Sequence, residues 1–486
     1  MMTKSHSVKD AAAAGGEGLT TSGRWALAGL SLSMLMSSLD TSIVNVGLPT
    51  LAETFGASFQ AVQWIVLSYL LAVTGLIVGV GRLGDIVGRR RLLLFGICLF
   101  TAASLLCGVA PALWLLIAAR AAQGLGAAVM MALTVALVGE TVPKEKTGSA
   151  MGLLGTMSAV GTTLGPGFGG ALIAGLGWRT VFLVNVPLGV LNFLLAQRHL
   201  PADRPEAKRS GAGFDRVGTP LLALTLAAYA LAMTTGHGRF GALNAALLSA
   251  AFVGVGLFLL AEMRAKSPLI RLAMFRSSTL SAGLAMGALV STVLMATLVV
   301  GPFYLSRSLG LETALVGLAL SAGPLVAALA GVPSGRVVDR FGARRMTVAG
   351  LAGIACGASA LSLLPSRFGL AGYVAPVVCM TAGYALFQAA NNTAVMAGVG
   401  PDQRGVISGM LSLSRNLGLI TGASVMGAVF ALASGASDIT TAHPASVAAG
   451  MRVTFAVAAM LMAVALAVAV GNYRRAPRPL TRAGLT

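Results

Sequence analysis

The sequence predicts an all-α integral membrane protein built as two six-helix bundles with two linker helices inserted between them, fourteen transmembrane helices in total. Three observations lead there. The 486 residues are 56% hydrophobic and only 10% charged, with a mean hydropathy of +0.85, more apolar than the core of a soluble protein of this length requires. The chain divides into fourteen apolar runs near the ~20 residues that cross a bilayer as a helix. One half of the chain also repeats in the other.

In chain order, residues 1–23 lack an apolar signal core and are rich in small and polar residues, so they read as a disordered tail without a cleaved signal peptide. Six runs beginning near Trp25, Ala61, Leu92, Ala112, Gly148 and Trp178 make a first bundle over 24–198. A loop at 199–216, containing RPEAKRS, leads to two extra runs over 217–263, which begin near Val217 and Phe240 and carry no charge in their interiors. They read as a peripheral scaffold. After a loop at 264–276, runs beginning near Ser277, Ala314, Met346, Tyr373, Val406 and Ala445 make a second bundle over 277–472, and 473–486 is a tail.

An even number of crossings puts both termini on one side. Of the 34 lysines and arginines, Arg179, Arg239, Arg307, Arg367 and Arg452 fall in loops after odd-numbered runs and Arg120 and Arg415 fall inside runs; the others lie in the tails or in loops after even-numbered runs. Positive residues accumulate on the cytoplasmic side. Both termini are therefore expected in the cytoplasm, with the chain crossing the inner (cytoplasmic) membrane many times. The net charge of +19 belongs to this topology, and the basic clusters lack the aromatic interleaving of a nucleic-acid surface, so no nucleic-acid partner is expected. Cys98, Cys107, Cys356 and Cys379 all sit in apolar runs without a CxxC or Cys/His cluster, which reads as reduced small hydrophobes and no metal site.

The repeat is direct. GRLGDIVGRRR at 81–91 recurs 254 residues later as GRVVDRFGARR at 335–345, and at a shift of 257 Gly148, Gly152, Gly161, Gly165 and Gly170 align with Gly405, Gly409, Gly418, Gly422 and Gly427. Both copies run in the same topological sense. Parallel six-helix repeats related by an axis along the membrane normal are a transporter architecture with the substrate site at midplane between the halves, whereas a channel calls for a ring of polar or carbonyl ligands.

These residues resemble the major facilitator superfamily, in particular its fourteen-helix drug/proton antiporter branch, over 24 to about 472. GRLGDIVGRR resembles the loop motif between helices two and three, RAAQGLGAA (120–128) the helix-four motif, and GTTLGPGFGG (161–170) the helix-five motif of antiporters; LDTSIVNVGLP (39–49) and WRTVFLVNVP (178–187) resemble signatures of the branch. The resemblance implies a monomeric transporter of two rocking halves, in which the helix-five motif helps set antiport and limits leakage. One departure stands out: YLSRSLG (304–310) has Arg307 where many relatives have Gln.

Asp40 lies about sixteen residues into the first run and Arg120 about eight into the fourth, which enters from the other side; at 1.5 Å per residue their depths, about 24 Å and about 12 Å of a helix about 36 Å long, coincide. The two are expected to pair. A charge at membrane depth costs ~2.5 to 3.5 kcal/mol or more and marks a functional site, and ion pairing favours the ionised carboxylate while burial favours the neutral one. Asp40 and Arg120 are therefore the expected proton-coupling residues, with a structural salt bridge as the bland alternative. Arg415, near midplane, and the polar residues Gln63, Tyr69, Gln123, Asn185, Gln388, Asn391 and Asn392 are candidates for the substrate cavity. Conformational roles are expected for Gly81, Asp85, Arg89 and Arg90, for Asp339 and Arg340 in the second copy, and for Gly161, Gly165, Pro166, Gly169 and Gly170. Among these, Pro166 removes a helix hydrogen bond and permits a bend; the second copy has Ala423 in its place, which would confine the bend to one half.

No P-loop of the GxxxxGK[ST] type occurs, so no ATP or other cofactor is expected and the proton gradient is the energy source. The four histidines lie in tails, loops or run ends, which argues against an enzyme. The function these features imply is proton-coupled export of hydrophobic drug-like compounds by alternating access. One interior carboxylate against two interior arginines disfavours dications, leaving monovalent cationic or neutral lipophiles. The alternative is selective export of one metabolite, self-made antibiotic or lipid on the same fold. The expected partners are small lipophilic substrates, protons and membrane lipids.

Overall fold

The computed structural model describes residues 20–143, 147–203, 217–235, 241–265, 275–363, 368–397, 401–435, 439 and 442–475, excepting the side chains at 78, 82, 85, 147–149, 152, 401–406, 408, 474 and 475. Every regular element among them is helical. The first bundle comprises α1 (Thr21–Ile43), a 3-10 turn (Asn45–Gly47), α2 (Leu48–Phe55), α3 (Phe59–Val87), α4 (Arg89–Val109), α5 (Leu113–Thr141), α6 (Thr147–Leu176), α7 (Thr180–Leu183) and α8 (Asn185–His199). The inserted pair is α9 (Gly218–Thr234) and α10 (Ala242–Arg264). The second bundle comprises α11 (Ser278–Phe303) with a π segment (Tyr304–Ser308), α12 (Thr313–Phe341), α13 (Ala343–Leu363), α14 (Gly369–Met396), α15 (Pro401–Thr421), a π segment (Gly422–Met426), α16 (Gly427–Ala433) and α17 (Pro444–Arg475). Thirteen spans among the described residues are long and apolar enough to cross a membrane, and α9, with 17 residues, is the shorter fourteenth. At about 26 Å it sits at the lower limit for a crossing.

The repeat has a backbone cause. α3 and α4 are joined by Gly88 alone, at φ 108°, and α12 and α13 by its counterpart Gly342, at φ 84°. A side chain pays ~1–2 kcal/mol for left-handed backbone, so a one-residue turn between spans selects glycine in both copies.

Three expectations change. Arg452 belongs to no loop: it lies eight residues past Pro444 in α17, whose 32 residues extend about 48 Å, so its first turns outreach the ~30 Å hydrocarbon core. Arg307 likewise sits in the π segment that ends α11. The irregularity of the fifth helix is not confined to one half either, because Ala423, the counterpart of Pro166, lies in the π segment Gly422–Met426, the kind of insertion that re-aims a helix without proline.

The halves join at one end of the molecule. Among the described residues, the hydrogen bonds that run directly from one bundle to the other are Gln63 Nε2 donating to the Ala423 carbonyl at 3.0 Å and Arg307 Nη2 donating to Glu53 Oε1 at 2.5 Å. Both lie opposite the end that carries Arg89–Arg91 and Arg344–Arg345. Phe59 seals the same level, edge-on to Phe303 and Phe430 with centroids at 4.8 and 5.5 Å. Toward the basic end, Gly155, Gly331, Gly335 and Gly409 have open space around them, and Leu329 and Val332 are exposed. Joined at one end and unpacked at these positions, the bundles are arranged as the two sides of a cleft open at the basic end. α9 lies over one of its seams: Thr234 accepts from Trp64 Nε1 of α3 at 3.0 Å, and Tyr229 donates to Thr421 of α15 at 3.2 Å.

Candidate functional site

Asp40 and Arg120 meet. Both are fully enclosed, at 0% and 1% exposure, with Arg120 Nη1 2.6 Å from Asp40 Oδ2. Asp40 Oδ1 accepts from Gln123 Nε2 at 2.8 Å and from Asn185 Nδ2 at 3.0 Å. Gln123 stands one turn after Arg120 on α5, the spacing that places both on one face, and its carbonyl accepts from Arg120 Nη1 at 2.7 Å while its amide also donates to Ser104 of α4 at 2.8 Å. Arg120 Nε donates to the Ile65 carbonyl at 3.1 Å, and the guanidinium lies 4.3 Å from the ring centroid of Tyr69 and 5.9 Å from that of Phe182. Asn185 is supplied by the break in the sixth span, where α7 ends and α8 begins. A carboxylate with three donors, one of them its counter-charge, satisfies the condition under which a buried ion is tolerated. The cluster lies wholly inside the first bundle. Its counterparts at a shift of 254, Leu294, Val374 and Val377, are apolar, so the second bundle does not repeat the cluster at the equivalent positions.

The candidates for the cavity separate into groups. Gln123, Asn185 and Tyr69 belong to the Asp40 cluster; Tyr69 is buried, with its hydroxyl 3.4 Å from the Ser37 carbonyl and from Thr41 Oγ1. Gln63 is buried in the seam between bundles, and Asn391 is buried between α14 and α11, donating to the Gly283 carbonyl at 3.2 Å. These five are thus internal linkers and not cleft lining. Gln388 is half-buried, and Asn392 and Arg415 are exposed.

The glycines of the fifth span divide similarly. Added Cβ atoms at Gly161, Gly165 and Gly169 would strike α1, at Leu35, Ser42 and Ile43, whereas Gly170 faces Thr313 and Gly317 of α12. Its counterpart Gly427 faces Gln63, and Gln63 is itself the counterpart of Gly317 at a shift of 254. The same two positions therefore build both seams. Glu53 and Arg307 are also 254 residues apart, so their ion pair joins equivalent positions across the pseudo-twofold axis. The sequence departure at Arg307 thereby acquires a partner that Gln would serve only weakly. Exposed pairs contribute ~0.2–1 kcal/mol; Glu53→Arg is expected to slow efflux by up to about fivefold, and adding Arg307→Glu to restore it, in a transport assay comparing the two.

At the basic end, the side chain of Asp85 lies outside the described residues. The carboxylate at the N-terminus of α4 is instead that of Asp203, which accepts from the backbone N–H of Arg90 at 2.8 Å and of Arg91 at 3.2 Å. Nothing in the sequence marks it, because it follows the sixth span by chain position and reaches α4 only through the fold. Arg89 Nη1 pairs with Glu140 Oε1 of α5 at 2.6 Å, and Arg90 Nη2 donates to the Gln197 carbonyl. In the second copy Asp339 is exposed and Arg340 lies over the ring of Phe341; Gly81 is exposed with open space beside it. Loss of a cap costs ~0.5–2 kcal/mol, so Asp203→Ala is expected to lower the thermal unfolding midpoint of purified protein, with the Asp40 cluster unaffected.

A chain of parallel six-helix repeats, split by a cleft and carrying one enclosed acid–base cluster, is a multi-pass membrane transporter. The sequence profile of the Major Facilitator Superfamily matches residues 30–423, and the chain belongs to that family. It is 29% identical over 402 residues to the riboflavin transporter RibZ of Clostridioides difficile (strain 630), covering 83% of this chain and 87% of RibZ. It is 32% identical over 403 residues to the multidrug resistance protein Stp of Mycobacterium tuberculosis (strain CDC 1551 / Oshkosh), covering 82% and 74%. The crystal structure of a bacterial homolog of the human lysosomal transporter Spinster, inward-facing and unoccupied, superposes with a TM-score of 0.65 at 18% identity, covering 94% of this chain and 98% of that one; this likeness concerns the fold.

Proposed function

We propose that this transporter exports hydrophobic, drug-like compounds, neutral or singly charged, in exchange for protons taken up at Asp40. With the basic end in the cytoplasm, as the distribution of lysine and arginine implies, the cleft opens inward and the seam of Gln63, Glu53, Phe59 and Gly317 is the closed outer gate. The observation that carries the reading is the setting of Asp40: the one carboxylate at mid-membrane depth among the described side chains is shut off from water among three donors. An ionised Asp40 suits those donors. A protonated one becomes a donor itself and needs an acceptor, and Asn185 Oδ1, buried and without a hydrogen-bond partner, becomes that acceptor when its amide turns over. Protonation thus exchanges one set of bonds for another within the first bundle, and α1, which carries Asp40, also packs against α6 of the outer gate. The gradient is the energy source, no cofactor takes part, and the outer gate and the cluster lie within one chain, which suits a working monomer in the inner membrane with both termini cytoplasmic.

The test is efflux of ethidium and of a neutral lipophilic dye from proteoliposomes with an imposed pH gradient. Acid outside should accelerate export and a protonophore should abolish the acceleration; export indifferent to the gradient would remove proton coupling. A second reading, export of one metabolite or antibiotic, is favoured by the specific cargo in the name of RibZ, and predicts that one compound moves while a panel of dyes does not.

A further inference from the structure

We infer that the cleft selects lipophilic anions and that Arg415 receives the anionic group; this rests on the export reading above and names its substrate class.

The middle of the membrane holds three charged side chains with described positions, Asp40, Arg120 and Arg415. The first two neutralise each other inside the first bundle and face no cargo. Arg415 is exposed, fourteen residues and so about 21 Å along from Pro401. The contacts of its helix show what it faces. On one side, Ser414 donates to the Leu284 carbonyl at 2.5 Å and Gly418 and Gly422 pack on Ala288 and Thr292, all of α11. On another, Ala423 accepts from Gln63 of α3. Met410, Leu413 and Ile420 are buried, and Thr421 is tied to α9. At about 100° per residue within α15, Arg415 lies off the Ser414–Gly418 face that packs on α11 and on the side of the exposed Ser412. That is the wall of the cleft.

Arg415 makes no ion pair or hydrogen bond among the described residues. The other carboxylates with described side chains, Glu53, Glu140, Asp203, Glu262, Glu312 and Asp339, stand at helix ends or in loops. Its nearest cleft-wall companions by register are neutral: Gln388 and the exposed Asn392 of α14, on the strip between Thr381, which faces α12, and Asn391, which faces α11. An uncompensated guanidinium at this depth is held only where water or a counter-ion reaches it. A carboxylate or sulfonate gains two parallel charge-assisted bonds from it, whereas a cationic cargo meets a like charge. The expectation drawn from the sequence, a monovalent cationic or neutral lipophile, counts Asp40 as available to cargo. Its enclosure reverses the sign of the cleft.

Charge bookkeeping gives an independent readout. A monoanion leaving as one proton enters moves two charges, both in the direction an inside-negative potential favours; a monovalent cation in the same exchange moves none.

The experiment compares two xanthene dyes of opposite charge, fluorescein and rhodamine 6G, bound to purified protein in detergent by fluorescence anisotropy, with no gradient. Fluorescein should bind more tightly than rhodamine 6G, and Arg415→Gln should weaken fluorescein about tenfold or more, a change of about 1.4 kcal/mol, while leaving rhodamine 6G equal or tighter. Arg415→Lys should fall between. Equal affinity for the two dyes, no fluorescein binding, or equal weakening of both in Arg415→Gln would overturn the inference. Because binding is read without a gradient, fluorescein that binds through Arg415 but is not driven out by acid outside refutes proton-coupled export and leaves the anion site standing.

Discussion

Asp40→Asn is expected to abolish the stimulation of efflux by external acid while the protein remains inserted in the membrane. Asparagine keeps the size of the side chain and an oxygen for Arg120, but it neither binds nor releases a proton. The substitution also leaves Arg120 buried without its counter-charge, and breaking one side of a buried pair costs ~3–5 kcal/mol, so the single variant should unfold at lower temperature. Asp40→Asn combined with Arg120→Gln separates the two effects. The double variant removes both charges, should regain much of the stability, and should stay uncoupled. Gradient-driven efflux at the wild-type rate in either variant would remove Asp40 as the proton site. Restored coupling in the double variant would show that the pair serves packing alone.

How far this site was legible depends on what helical geometry lets a sequence say. Depth is additive along a helix, so the levels of Asp40 and Arg120 followed from their distances to the run ends, and the two meet at 2.6 Å. Rotation about the axis is not additive in that way once a span contains a 3-10 turn or a break. Asn185 stands at such a break between α7 and α8, so its spacing does not give its direction, which is into the Asp40 cluster and not the cavity. Gln63 is illegible for another reason. Its polar character marked it as functional, but its bond to Ala423 depends on two bundles far apart in sequence. The pseudosymmetry is visible in the sequence as glycine and charge spacing only where the motifs repeat identically. Glu53 and Arg307 occupy equivalent positions with opposite charges, and complementary positions do not register as a repeat.

Gly317→Val is expected to prevent the outer gate from closing and to reduce gradient-driven efflux by about ten- to a hundredfold. The two seams of that gate use equivalent positions but solve them differently. At one, Gln63 fits against Gly427 because its amide is bonded to the Ala423 carbonyl. At the other, Gly317 lies against backbone: a Cβ there would collide with the carbonyl of Pro166, and one at Gly170 would stand 2.8 Å from the carbonyl of Thr313. A flexible side chain can turn aside, but a carbonyl in a helix moves only with the helix. Overpacking of this kind costs ~1–3 kcal/mol, charged to the closed form alone, which shifts the balance between the two forms by roughly the factor stated. The readout is labelling of Ser321→Cys, which faces Gly167 in this seam, by a membrane-impermeant maleimide from outside, in a background without the native cysteines. Labelling should be slow in the parent and fast with Gly317→Val. Gly155→Ala, which has open space around it, should leave both labelling and efflux unchanged. Wild-type efflux in Gly317→Val would mean that the seam at α6 and α12 need not close for export, and that the outer gate is held by α3 and α15 alone.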